Sequence, residues 1–251
     1  MKGEIHKMIT SKIQKRLFEM ADDKYREFHS GLVPNVPSEK FIGVRVPELR
    51  KLAKELAKDP KVEEFLQQIP HQYYEENQLH SFIIDYLKED FETCLKRTEM
   101  FLPEINNWAV CDSFKPASLK TEPKRLYEQI KIWMKSSEPY TVRLAVVLQI
   151  SWFLDKWFQP DMLEELTQVA IKWSGTYDHI PEKESNQYYV LMAVAWYFSM
   201  ALVKNYRVTI PYFKEKKMPK WVHNQSLQKA VESRRFSPEE KDQFRQLKIK
   251  E

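Results

Sequence analysis

Two stretches of this chain repeat one another. Tyr140 to Leu154 reads YTVRLAVVLQISWFL and Tyr188 to Leu202 reads YYVLMAVAWYFSMAL. Aligned without gaps at an offset of 48 residues, they agree at Tyr140/Tyr188, Val142/Val190, Ala145/Ala193, Val146/Val194, Ser151/Ser199 and Leu154/Leu202. Both are apolar nearly all round, so each needs neighbours on most sides. Paired helices at such a spacing suggest degenerate HEAT-type repeats, in which each hairpin buries its face on the next. In this alignment Arg143 stands opposite Leu191, and Trp196 opposite Leu148. The polar or aromatic member of each pair departs from the packing pattern, and such departures are where function is expected.

The rest of the chain reads the same way. Only 4 of its 251 residues are glycine, which excludes the closely spaced glycines of a P-loop or a dinucleotide fingerprint. Apolar periodicity predicts helices near 5–20, 22–28, 47–58, 62–69, 73–88, 91–102, 123–135, 139–155, 160–173, 185–204, 208–216, 220–232 and 238–248, and no strand. Ile5, Met8, Ile9, Ile13, Leu17 and Met20 form the stripe of the first. Gly31 through Pro37 is expected to break the second and make a loop. Pro47 suits a first helical turn, with Leu49, Leu52, Ala53 and Leu56 inward and Arg50, Lys51, Lys54 and Lys58 on the opposite face, where they could meet phosphates. Leu79, Phe82, Ile83, Tyr86 and Leu87 should face inward from the fifth. The expected fold is all-α, a C-shaped HEAT-like helical-repeat solenoid forming one domain over 1–251.

Cys94 and Cys111 have no metal or redox spacing and read as free, partly buried thiols in a reducing cytosol. His71 and His80 are nine apart, which matches no zinc pattern, so neither metal nor cofactor is expected. Frequent charges of both signs near the start argue against a signal peptide. Residues 185–203 carry no charge, but they begin polar and read as a buried helix rather than a membrane span. The expected compartment is the cytoplasm and the expected state a monomer. The net charge of +4 divides unevenly: +5 over 1–58, −8 over 59–202 and +7 over 203–251. Basic ends around an acidic middle would suit an array that grips a polyanion at both tips.

Chemistry gathers at Asn106-Asn107-Trp108-Ala109-Val110-Cys111-Asp112. Pro103 ends one helix, Asn106 or Asn107 can cap the next, and Pro116 closes it after about two turns. Trp108 and Asp112, four apart, share a face of that helix. The nearby helix start favours an ionised carboxylate. In a solenoid, Trp108, Asp112, Arg143 and Trp196 would come from three inner helices lining one concave surface.

These four residues, with Arg143 ahead of Ala145 and Trp196 in Met192-Ala-Val-Ala-Trp, resemble the AlkD-like DNA alkylation repair family. Phe41-Ile-Gly43-Val-Arg45-Val-Pro47-Glu-Leu-Arg50 resembles that family's N-terminal motif, and the likeness spans roughly residues 10–235. The resemblance implies HEAT-like repeats and a metal-free, cofactor-free glycosylase. Its substrate would be double-stranded DNA carrying cationic N3- or N7-alkylated purines, excised without drawing the base into a pocket. It implies Asp112 as the catalytic carboxylate, Trp108 and Trp196 as cleft aromatics, and Arg143 as a DNA contact. Arg45, Arg50 and Lys54 are further DNA-binding candidates, and Tyr25 and Phe28 are both candidates for the N-terminal aromatic contact. The chain departs from the family where a Lys and a Gly precede the second tryptophan, here Met192 and Ala195. It departs again where an Arg often follows it, here Tyr197-Phe198-Ser199. Those losses suit the alternative, a non-catalytic helical-repeat protein that binds DNA structures or a protein partner.

Overall fold

The computed structural model describes the backbone of residues 2–250 and side chains from Thr10 onward, so the expected contacts of Ile5, Met8 and Ile9 lie outside the described residues. Among the described residues there are fourteen α-helices and no strand. Helical hairpins pack through apolar faces, so the repeat architecture is the one expected. The chain divides into two compact units, residues 1–126 and 127–251.

The first unit contains α1 (Lys2–Glu19), α2 (Asp23–Leu32), α3 (Val46–Leu56), α4 (Val62–Leu66), α5 (Tyr74–Tyr86), α6 (Phe91–Phe101) and α7 (Trp108–Ser113). α3 packs along α5. Its stripe of Leu49, Leu52, Ala53 and Leu56 is buried as its spacing requires. α2 runs past the expected stop at Gly31. A glycine inside a helix costs only about 1 kcal/mol. The firmer stop is Pro34, which disfavours helical backbone at Val33, and Val33 is the first non-helical residue.

α5 departs most from its expected face. Tyr86 and Leu87 are only half-buried, whereas Glu75, Glu76, Gln78, His80 and Ser81 are buried beside Leu79, Phe82 and Ile83. Each buried polar group needs a partner, because an unpaired one costs about 1–3 kcal/mol. Glu75 finds three. Its carboxylate accepts the backbone N–H groups of Ile42 (2.9 Å), Gly43 (2.7 Å) and Val44 (3.3 Å). Burial holds the Glu75 carboxyl above its ordinary range, and these donors pull the other way. Gly43 adopts φ +96°, and a Cβ there would stand 2.6 Å from the Asp22 carbonyl oxygen. Only glycine fits that turn without strain.

His71 and His80 hydrogen-bond to each other, Nε2 to Nδ1, at 2.8 Å. His71 stacks on Phe65 and His80 on Phe101, with centroids 4.5 and 4.1 Å apart. Burial pushes His71 down to about 4 and His80 well below its usual value, so both are neutral near pH 7. Cys94 and Cys111 are both buried.

α8 (Pro123–Met134) spans the division, and the second unit continues with α9 (Pro139–Trp152), α10 (Asp161–Ser174), α11 (Asn186–Lys204), α12 (Tyr206–Lys214), α13 (Lys220–Glu232) and α14 (Pro238–Leu247). α9 and α11, the repeated pair, pack directly on each other. α11 also packs on α10, α12 and α13, which explains its uncharged sequence. Ser185 caps it by accepting the Tyr188 N–H at 3.1 Å. Leu191, Val194, Ala195, Phe198 and Ala201 are wholly enclosed. Among the described residues no helix is long and apolar enough to cross a membrane.

Candidate functional site

α7 is six residues long. Asn107, buried, caps it by accepting the Val110 N–H at 3.0 Å. Trp108 and Asp112 stand one turn apart on it, and both are half-buried. The Trp108 indole N–H donates to the Leu32 carbonyl at the end of α2, at 3.0 Å. Asn35, just beyond α2, donates to the Asn106 carbonyl ahead of α7. The helix bearing the two site residues is therefore tied at its start to the segment that follows Tyr25 and Phe28.

Its far end is tied to α5. Ser113, next to Asp112, accepts a hydrogen bond from Gln78 Nε2 at 2.7 Å. The Lys115 N–H donates to Asp85 at 3.0 Å. Burial raises the Asp85 carboxyl to about 7, against the opposing pull of the Lys115 N–H and of Arg50. Gln78 and Asp85 lie seven residues apart, two turns along one face of α5. Neither stood out in the sequence. The signal was available as polar residues interrupting an apolar helical face.

The basic candidates differ in their surroundings. Lys54 is exposed. The Arg50 guanidinium lies 3.9 Å from the centre of the Phe82 ring and 4.0 Å from the Asp85 carboxylate, which turns part of this side chain inward. Arg45 is exposed and pairs with Asp22 through two contacts of 2.8 and 3.1 Å. It also sits 5.0 Å over the Tyr25 ring. Tyr25 is half-buried and stacks on His29, whereas Phe28 is 63% exposed.

In the second unit Arg143 is buried at 6% exposure. Its guanidinium donates to the Tyr189 carbonyl of α11 and lies 6.0 Å from that ring. Its counterpart in the repeat, Leu191, is fully buried, so Arg143 occupies a packing position, with the Tyr189 carbonyl as a partner there. Trp196 is half-buried two turns beyond Tyr189 on α11. Met200 follows one turn later, with Arg235 3.9 Å from its sulfur. Arg235 is a cation beside this helix face that sequence spacing gave no means of placing.

Among the described residues no group of three His, Cys, Asp or Glu side chains could hold a metal ion. The arrangement offers instead a carboxylate and an indole on one helix turn, with exposed aromatic and basic side chains on the helices of the same unit.

No curated protein matches the chain. A family model described as DNA alkylation repair enzyme matches residues 13–179, a span that contains Tyr25, Arg45, Trp108, Asp112 and Arg143 and stops before Trp196. That match takes in well over half of the chain, and with the all-helical fold it places this protein in the DNA alkylation repair enzyme family.

Proposed function

We propose that the protein is a DNA glycosylase that excises cationic N3- and N7-alkylated purines from duplex DNA. Asp112 is the catalytic carboxylate, and Trp108 is the aromatic that faces the same reacting centre. An alkylated purine of this kind is already cationic and leaves as a neutral base. It needs little help from an acid. What rises in the transition state is positive charge on the deoxyribose, and a fixed negative group beside it lowers the barrier. A carboxylate at about 4 Å contributes about 4 kcal/mol at an effective dielectric of 20. That is roughly a thousandfold in rate. An indole face adds about 0.5–2 kcal/mol through its attraction for a cation.

The observation that carries this reading is the pairing of Trp108 with Asp112 on one turn of a short, capped helix inside the family-matched span. Arg45, Arg50 and Lys54 are assigned to phosphates, because a cation cannot stabilise an oxocarbenium ion. Tyr25 or Phe28 supplies the N-terminal aromatic contact. Trp196 of the second unit is a separate aromatic candidate, while Arg143, at 6% exposure and bonded to the Tyr189 carbonyl, serves first in packing that unit.

The test is single-turnover release of N7-methylguanine from a duplex. Asp112→Asn should slow it roughly a thousandfold, the value that corresponds to the lost carboxylate. Release unaffected by that substitution would put the chemistry elsewhere. A second reading is favoured by the uncharged sequence around Trp196, with Met192 before it and Tyr197-Phe198-Ser199 after it. It is a non-catalytic repeat protein, and salt-dependent duplex binding without any base release would establish it.

A further inference from the structure

Isolated helices shorter than about 12 residues are marginal in water, so α7 is placed by whatever grips it. One of those grips is the end of a longer chain of hydrogen bonds. Tyr25 Oη lies 3.4 Å from His29 Nδ1 and His29 Nε2 lies 3.0 Å from Tyr74 Oη; because the single Tyr74 hydroxyl proton goes to Gln78, His29 with its proton on Nε2 donates to Tyr74 and accepts from Tyr25. Tyr74 O–H donates to Gln78 Oε1 at 3.1 Å, and Gln78 Nε2–H donates to Ser113 Oγ at 2.7 Å. Ser113 closes the chain on its own helix by donating to the Ala109 carbonyl at 2.7 Å. The second N–H of Gln78 goes to Ser81 Oγ at 3.1 Å. Ser113 shares its hydroxyl with the Val110 carbonyl at 3.1 Å, and the bonds from Tyr25 to Ser113 run in one direction, from α2 through α5 to α7.

Residue 78 must be an amide for this to work. A carboxylate has no N–H to offer Ser113, and an apolar side chain has neither group. Tyr74 and Gln78 are 4% and 2% exposed, so water cannot substitute for a lost partner. Polar groups that are buried and satisfied, as Tyr74 and Gln78 are at the centre of this chain, favour one arrangement. One end carries Tyr25, which lies under Arg45. The other end is bonded to the residue beside Asp112.

We infer that Gln78 is a positioning residue for Asp112, and that the Tyr25–His29–Tyr74–Gln78–Ser113 chain makes the placement of the carboxylate depend on the placement of α2. This rests on Asp112 being the catalytic carboxylate. Gln78 touches no substrate; it acts through the seat of α7. Engagement of DNA by the exposed side of α2 therefore bears directly on where the carboxylate stands.

The experiment compares the full-length protein with Gln78→Leu, Ser113→Ala, Asp112→Asn and the Gln78→Leu/Asp112→Asn pair. Release of N7-methylguanine, duplex affinity and amide hydrogen exchange are measured on each. Gln78→Leu should slow release about tenfold to a hundredfold, the cost of a small misplacement, while duplex affinity stays within about twofold. In the Asp112→Asn background the same substitution should cost nothing further, because the group it positions is gone. The Cys111 and Phe114 amides, bonded back to Asn107 and Val110, should exchange faster, with α11 unchanged. Ser113→Ala leaves Gln78 and the rest of α5 in place and should show the same pattern more weakly. Equal rate losses in both backgrounds, or unaltered exchange at α7 in both variants, would overturn the inference. If the unsubstituted protein releases no base, the glycosylase reading fails. Amide exchange then decides by itself whether Gln78 seats α7.

Discussion

The helix that carries Asp112 and the helix that carries Trp196 are held by polar and apolar contacts in different proportion. α7 has six residues, buries only Val110 and Cys111, and is otherwise fixed by a handful of polar contacts: the Asn107 cap, the Trp108 N–H on Leu32, Gln78 on Ser113, and the Lys115 N–H on Asp85. α11 has nineteen and is enclosed by four other helices through apolar side chains. Hydrogen bonds are directional and few, so losing one moves α7. Dispersion and apolar burial are non-directional and many, so losing one methyl group lowers stability without redirecting α11. Geometry is therefore vulnerable at α7, and stability at α11.

The largest expected effect that tests this contrast is on the apolar side. Leu202→Ala, six residues beyond Trp196 and 1% exposed, should destabilise the fold by about 2–5 kcal/mol in urea unfolding. The folded fraction should keep its release rate. A large rate loss with little change in stability would remove the distinction between the two helices.

Asp85→Asn probes the polar side. The Asp85 carboxyl is held at about 7 when folded, above its ordinary value of 3.8. Between those values the folded state binds more protons than the unfolded one, so this group makes stability fall as pH rises from about 4 to about 7. An amide cannot titrate. The difference in unfolding free energy between the two proteins should therefore shift in favour of the substituted one as pH rises through that window. A difference independent of pH would mean that Asp85 is ordinary in its titration. Carboxylates that are lowered by their partners, such as Glu55 beside Arg16 and Glu63 beside Arg97, have the opposite slope and cancel in the comparison.

The smallest effect belongs to the exposed basic face. Lys54→Ala should leave stability within about 0.5 kcal/mol, because it is a surface change. It should reduce the slope of log affinity against log salt by about 1, the signature of one lost phosphate contact. An unchanged slope would take Lys54 out of the interface and leave Arg45 and Arg50 to carry it.

Much of the fold was legible in the sequence because helix starts, stops and apolar stripes are local. The α3 stripe, the Asn107 cap and the α9–α11 pairing all follow from residues within a few turns, or from one internal repeat. Gly31 misled because a glycine only weakens a helix, whereas the Pro34 ring acts on the backbone before it. The candidate site was legible as residue types at family-matching positions. Its supports were not, since Gln78 meets Ser113 across 35 residues and Glu75 meets Val44 across 31. Arg143 shows the limit of spacing most clearly. An arginine near the start of an apolar helix reads as surface, yet the Tyr189 carbonyl lets it sit inside.

The carboxylate of Glu75 gives the Phe41–Arg50 segment a meaning that its letters do not. Beside its packed side chains, that segment presents its main chain to the rest of the protein: three consecutive amides gathered on a single carboxylate, with one glycine bent to allow it. A likeness spelled out by those residues is thus a likeness of anchorage. Two proteins can share the phrase and its buried counter-ion while differing in every group they offer to a nucleic acid.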